Sequence, residues 1–308
     1  MKSAYRRELA VAAVLGLLLL IDARAAGFFA FDNFRDLVVD NATVLLAAIG
    51  MTAVILCGEI DLSVGSVYAV CQIAAGHLAK LGVPTPLLVV VAPLLGGLCG
   101  AVNGALVVGA EIPSIIVTLA VMVGVRGALR WGTGGEWVRD LPAGFQWLGL
   151  GQTGGQAFLV LVAVVVFAAA VWASRSLAAG RALYAVGADR EAARLAGIRP
   201  RRVVFGAFVL MGLLAGLAAF LQAIRFSAVQ ADAGLHLEMQ VIACVVVGGT
   251  AITGGRGTLW GTLAGVALLG VIGTSLTFQH VNPAWERAVQ GAIILAAVAW
   301  DAGGRRHE

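Results

Sequence analysis

Apolar residues fill this chain in long runs, broken by short clusters of glycine, proline and charge. The runs lack the alternation of half-buried strands. Several reach the roughly 17–25 residues that a helix needs to cross a hydrocarbon core, which predicts helical spans over a membrane barrel. Read by runs and breakers, the spans fall at 9–29, 34–56, 61–79, 86–108, 112–131, 157–173, 203–224, 238–252, 258–278 and 284–300. Those at 61–79 and 238–252 are short or interrupted by glycine, so either is a candidate broken or re-entrant helix.

The pattern changes between 157–173 and 203–224. Residues 187–198, GADREAARLAGI, spell a short charged helix. Asp189 is a candidate N-cap, Glu191 falls in the first turn, Gly197 supplies a stop, and Pro200 bars continuation. About two turns of helix are too short to be stable alone in water. A helix this small and charged between spans reads as a docking element.

Composition narrows the class. Hydrophobic residues make up 60% and charged residues 12%, against about a quarter charged in a soluble domain. This is an integral membrane protein with no soluble domain of useful size. Lys2, Arg6 and Arg7 ahead of the first run resemble a signal peptide, with Ala23-Arg24-Ala25 the nearest cleavage site. No soluble domain follows it, and the expectation is a retained first helix. Cys57, Cys71, Cys99 and Cys244 lie in apolar segments without CxxC spacing and read as packing residues, with no metal site. The net charge of +4 gives no sign of nucleic-acid binding, because topology explains the arginines better.

Positive charge collects on the cytoplasmic side of membrane proteins. With the N-terminus inside, 13 of the 21 Lys and Arg residues fall in inner loops, seven of them between Arg175 and Arg202. That makes 174–202 an inner loop, and an even span count puts both termini inside. The loop 132–156, with Trp137 and Trp147 in it and Trp131 at its edge, then faces outward. Its tryptophans fit an interfacial belt or a short lid.

Glycines at four-residue spacing (Gly96, Gly100, Gly104; Gly212, Gly216; Gly257, Gly261, Gly265) place flat faces on apolar helices and fit tight bundle packing. A pore-side or dimer-side face would carry the same spacing. Arg126 and Arg130, four apart, share a face and are placed to snorkel or to meet an outer-side partner. Glu111, Glu238, His77, His236, His280 and Glu286 fall near span ends, as interface residues do.

Two segments carry polar groups where a span should begin or end. In residues 58–66, GEIDLSVGS, the carboxylates of Glu59 and Asp61 stand beside Ser63, Gly65 and Ser66. Glycine lets backbone unwind and line a polar cavity, and Asp61 is equally placed to cap the following helix. Residues 247–257, VGGTAITGGRG, occupy the corresponding place in the second half, with Gly248, Gly249, Thr250, Thr253, Gly254, Gly255, Arg256 and Gly257. No GxxxxGK[ST] occurs and the only lysines are Lys2 and Lys80, so this chain has no Walker motif for ATP. GxSxG and HExxH are also absent, which leaves an intramembrane hydrolase without nucleophile or metal. Glycine-interrupted segments in corresponding halves point to a translocation route at an internal-repeat axis.

Three stretches together resemble the permease subunits of bacterial ABC importers for monosaccharides, of the ribose/xylose/arabinose/rhamnose type. GEIDLSVGS resembles that family's GGIDLSVGS; residues 184–198, YAVGADREAARLAGI, are similar to its YALGGNEEAARLSGI; residues 245–261, VVVGGTAITGGRGTLWG, are close to its VVLGGTSLSGGRGSIIG. The likeness runs over roughly 33–300. It implies an all-α permease domain spanning 1–308, in two pseudo-symmetric halves. It also implies a second permease subunit, identical or not, a separate ABC ATPase, a periplasmic sugar-binding protein, an inner-membrane location and no cofactor. A coupling helix of Ala188, Asp189, Arg190, Glu191, Ala192, Ala193, Arg194, Leu195 and Ala196, stopped at Gly197, would dock on the ATPase. The 58–66 and 247–257 segments would lie near the route or gate.

Two departures stand out. Glu59 replaces the commoner Gly, and Ala188-Asp189-Arg190 replaces Gly-Asn-Glu. Relatives also carry autoinducer-2, which these stretches do not separate from a sugar. A self-sufficient carrier or channel is the competing reading, and it has no use for a charged docking helix.

Overall fold

The computed structural model describes residues 11, 13–20, 22, 28–230 and 232–282, with isolated positions within 285–295. Residues 9, 10, 12, 21 and 23–27 of the first expected span, which include the cleavage candidate, most of the 284–300 span, Glu286 and both termini lie outside the described residues. Apart from a two-residue bridge between Val138 and Val229, regular structure among the described residues is helical. Numbered in chain order, the helices are α1 Phe31–Leu56, α2 Val64–Lys80, α3 Thr85–Gly109, α4 Ser114–Thr133, α5 Gly151–Ser176, α6 Ala178–Ala188, α7 Arg190–Leu195, α8 Pro200–Ala223, α9 Leu237–Val247 and α10 Leu259–Phe278.

Six of these (α1, α3, α4, α5, α8 and α10) are long and apolar enough to cross a membrane. The two flagged as short stay short. The 17 residues of α2 measure about 25 Å and the 11 of α9 about 17 Å, below the ~30 Å of a hydrocarbon core. The expected 238–252 segment stops at Val247 because Gly248 and Gly249 end the helix, the latter at φ 92. Residues 178–188, expected as loop, form α6 instead.

Burial separates centre from periphery. The apolar window of α1 is 78% buried and that of α8 61%, against 11% for α4 and 17% for α5. The outward faces of α3, α4 and α5 leave Leu98, Val123, Leu161 and Trp172 exposed. A soluble protein would not tolerate that much contiguous apolar surface; lipid accounts for it.

Glycine faces bring the central helices into backbone contact. A Cβ on Gly96 would overlap the Gly212 carbonyl, and one on Gly100 the Phe208 carbonyl, so at these two positions α3 and α8 interlock without a side-chain layer. Gly261 and Gly265 do the same against Gly248 and Cys244, joining α10 to α9. These stripes pack within one chain, as small-residue faces do in lipid. The Thr52 and Thr262 hydroxyls, 2.8 Å apart and buried, tie α1 to α10.

The bundle has two distinguishable ends. At one end lie the last turn of α1, the last turn of α9, the start of α10 and α7. At the far end, Val138 pairs with Val229 over Gly76 of α2. There Trp147 is buried against Gly155, and its N–H donates to Ile224 at 2.6 Å. Part of the 132–156 loop is thus folded onto the bundle, while Trp131 stays 90% exposed.

Candidate functional site

The helix α7 begins where the sequence places it. Asp189 is its N-cap, its carboxylate accepting from the N–H groups of Glu191 at 2.8 Å and Ala192 at 3.0 Å. Gly197 turns the chain at φ 81, and Pro200 opens α8 as a first-turn proline. The helix has six residues, fewer than the two turns expected, because Ala188 closes α6 and Asp189 adopts extended backbone. Only Ala193 of α7 is buried, while Arg190, Glu191, Ala192, Arg194 and Leu195 are exposed, as are Ala196 and Gly197 after it. Leu195 is 78% exposed, unusual for a leucine beside a polar surface. Glu191 and Arg194 pair outward with Arg194 Nε at 3.0 Å, and the carboxylate raises the Arg194 pKa.

Behind α7, three stretches far apart in sequence close on one another. Gly255 N–H donates to the Leu56 carbonyl at 2.9 Å. A Cβ on Gly187 would overlap that same carbonyl, and one on Gly255 would stand 2.7 Å from Ala188 Cα. One on Gly254 would come 2.7 Å from Gly58 N. Both Gly254 (φ 88) and Gly255 (φ 72) need the left-handed conformation that glycine allows at no steric cost. The start of the docking stretch therefore touches both glycine-rich breaks through backbone alone.

One ion pair crosses this junction. Arg190 bonds the Glu59 carboxylate and also donates to the Cys57 carbonyl at 3.4 Å. Glu59 is buried and Arg190 about half exposed. Its two partners are two of the positions where the chain departs from the resembling stretches. Burial first, and then Glu59, push the Cys57 thiol up to about 12.

Inward from Glu59 runs a polar ladder. Asp61 is 2% exposed and accepts from Ser63 N at 2.8 Å and Ser63 Oγ at 2.6 Å. It organises the turn into α2 two residues ahead of Ser63, the N-cap. Asn103 of α3 donates to Ser63 Oγ at 2.7 Å, and Ser66 Oγ to the Ser63 carbonyl at 2.7 Å. Thr118 and Ser114 of α4 bond the backbone of Ile60. Asn103 and Ser114 were not singled out in sequence; the signal was an amide and a hydroxyl inside apolar runs. In the second break, Thr250 is 1% exposed, its Oγ1 without a hydrogen-bond partner among the described residues, whereas Thr253 and Arg256 face outward.

The two short helices begin against each other. A Cβ on Gly65 would touch the Gly234 carbonyl just before α9, and come 2.5 Å from Glu238 Oε2 in its first turn. Arg126 finds its partner here, donating to the carbonyls of Ala233 at 2.8 Å and Gly234 at 2.6 Å. A cavity of about 1060 Å³ opens at the α7 end, lined by Glu59, Glu111, Ser114, Arg190, Arg194 and Arg201 among others. A second, of about 250 Å³, lies between α2, the end of α8 and the chain leading into α9. Among the described residues no cluster of His, Cys, Asp and Glu could hold a metal ion.

A lipid-facing helical bundle with broken central helices and an exposed, capped helix at one end defines a multi-pass membrane transport protein. The family model described as branched-chain amino acid transport system / permease component matches residues 33–298. The chain belongs to that family of ABC-importer permeases. It is 38% identical to the probable ABC transporter permease protein YphD of Escherichia coli (strain K12), over 96% of this chain and 90% of that one. It is 34% identical to the ribose import permease protein RbsC of the same strain, over 94% and 91%. With the autoinducer 2 import system permease protein LsrC of Enterobacter sp. (strain 638) it shares 33%, over 96% and 86%. No solved structure matches the chain. As the permease subunit of an ABC importer it is no enzyme itself; the ATPase is a separate subunit.

Proposed function

We propose that this chain carries a monosaccharide, a pentose, rhamnose or similar ring, from periplasm to cytoplasm across the bacterial inner membrane. It would act with a second permease subunit, an ABC ATPase and a periplasmic binding protein. The observation that carries this reading is the backbone junction joining α7 to both glycine-rich breaks. In this reading Ala188 to Gly197 docks in a groove of the ATPase, with Leu195 as its apolar anchor and the Glu191–Arg194 pair at its rim. Approach of two ATPases then pushes Gly187–Ala188 against Gly255 and Leu56, and the breaks shift with it. Glu59, Asp61, Ser63, Gly65, Ser66 and the 248–257 segment flank the route or its inner gate.

The α7 end faces the cytoplasm, supported by the arginines between 175 and 202. Ten spans, both termini inside and two inverted halves complete the topology. Its support is the opposite sense of the two breaks: the chain returns from the α7 end before α2, and from the far end before α9. Autoinducer-2 is the second cargo to test, given the LsrC likeness.

The test is reconstitution with the ATPase and binding protein, followed by uptake of labelled sugars. ATP-dependent uptake lost on deleting 188–196 supports the reading. Uptake that needs no ATP, or survives the deletion, overturns it. Glu191→Lys with Arg194→Glu keeps the pair but inverts what a partner meets, and should abolish ATPase co-purification while membrane insertion continues.

A further inference from the structure

The smaller cavity has an unusual lining for a bundle this apolar. Its walls include Gln72 of α2, Gln222 of α8, Gln240 of α9 and Gln230, with the rings of Tyr68 and Phe226. Among the described residues no charged side chain lines it. At about 250 Å³ it holds roughly eight waters at ~30 Å³ each, and it falls just under the ~300 Å³ where drug-sized pockets begin. Gln72 is 4% exposed and Tyr68 6% exposed, so the wall on α2 is built inside the bundle.

Each glutamine amide offers both donors and an acceptor. Gln222 Oε1 is held by Arg225 at 2.9 Å, which leaves its NH₂ donors for a ligand. The amides of Gln72 and Gln240 have no hydrogen-bond partner among the described residues. These two amides, from α2 and α9, and the free donors of Gln222 on α8 face one small space, and a ligand with hydroxyls would complete their hydrogen bonds. Hydroxyls on a ring suit amides that donate and accept, and aromatic faces take its C–H side. A zwitterionic amino acid would need charge that this lining does not supply.

The floor is closed. Gly234, at φ 65, brings its backbone against Gly65 and Tyr68. Beyond that contact lie the buried Glu238 Oε2, without a hydrogen-bond partner among the described residues, and the Ser63–Asn103 ladder leading to the charged cavity at the α7 end. The order is cavity, constriction, polar ladder, charged mouth.

We propose that this glutamine-lined cavity is the cargo-contact site on the translocation route, selecting a small neutral polyhydroxylated ring, with the Gly65–Gly234 contact closed beneath it. The proposal rests on the sugar-importer reading above.

The experiment uses the assembled transporter in proteoliposomes with labelled ribose, xylose, arabinose, rhamnose and leucine. Gln72→Leu and Gln240→Leu should each cut uptake of the carried sugar by about tenfold through lost hydrogen bonds, with basal ATP hydrolysis within about twofold. Gln240→Glu should depress sugar uptake and leave basal hydrolysis alone. If Gln72→Leu fails to assemble, Gln230→Leu at the open rim replaces it. Sugar uptake within about twofold of the parent in the assembled variants overturns the site and leaves the importer reading standing. A parent that carries none of these sugars overturns that reading itself, and leucine uptake by the parent overturns the neutral-ring selectivity.

Discussion

The Glu59–Arg190 pair permits a test whose ordering is fixed by burial. Glu59 keeps 10% of its side chain exposed and Arg190 54%, so the two partners have unequal fates when separated. Removing Arg190 strands a buried carboxylate. A fully buried pair costs about 3–5 kcal/mol to break that way, and an exposed pair about 0.2–1. With the arginine half in water, the expected cost of Arg190→Ala is about 1–2 kcal/mol, a factor of roughly 5–30 in the docked population. Removing Glu59 leaves an arginine that water already solvates, and Glu59→Gly should cost under about 1 kcal/mol. Arg190→Glu is the severe case, because it sets a second carboxylate on the first. Adding Glu59→Gly restores the combination of the resembling stretches at both positions and should recover most of the loss. The assay is ATPase co-purification and ATP-dependent uptake for the parent, three single variants and the double variant. Additive losses, or Arg190→Glu no worse than Arg190→Ala, would refute the reasoning.

Three further outcomes follow from the same end of the molecule. Gly187→Ala forces a methyl into the Leu56 carbonyl; overpacking of this kind costs about 1–3 kcal/mol, and thermal unfolding in detergent should shift downward, with uptake lost before assembly. Asp189→Ala removes the cap from a six-residue helix, costing about 0.5–2 kcal/mol, and should weaken ATPase association while Asp189→Asn retains most of it. The Cys57 thiol, raised from 9.0 to about 12, stays protonated in the folded protein, so maleimide labelling at this position should remain slow up to pH 9 and jump on unfolding. Because the folded value is the higher one, its contribution to stability is complete below pH 9 and is lost as pH climbs toward 12.

What the sequence revealed was local. Apolar length gives the spans, and cap, first-turn acid and glycine stop give α7, because each signal lies within a few residues of the element it specifies. The α6 stretch AAGRALYAVGA carries arginine and two glycines between spans and so reads as loop. The 61–79 and 238–252 segments looked weak, and their weakness proved to be geometry: both are short helices that start inside the bundle. Contacts among residues 58, 187 and 255 are invisible to spacing, since only tertiary folding joins them. The same holds for Gln72, Gln222 and Gln240, single amides on three apolar helices whose common direction appears only in three dimensions. Arg126 was visible as a charge near a span, but its partners are backbone carbonyls that leave no mark in sequence.

The α3–α8 interlock has a mechanical consequence. Side chains between helices act as a soft layer that can repack when one helix slides, and at Gly96 and Gly100 that layer is missing. Gly96 and Gly100 rest directly on the backbone of α8, so the two helices have no play between them and translate as one beam. Compliance must then come from where the chain is broken, in α2 and α9. A pair of spin labels across α3 and α8 should report one fixed distance through the transport cycle, while a pair across the starts of α2 and α9 changes.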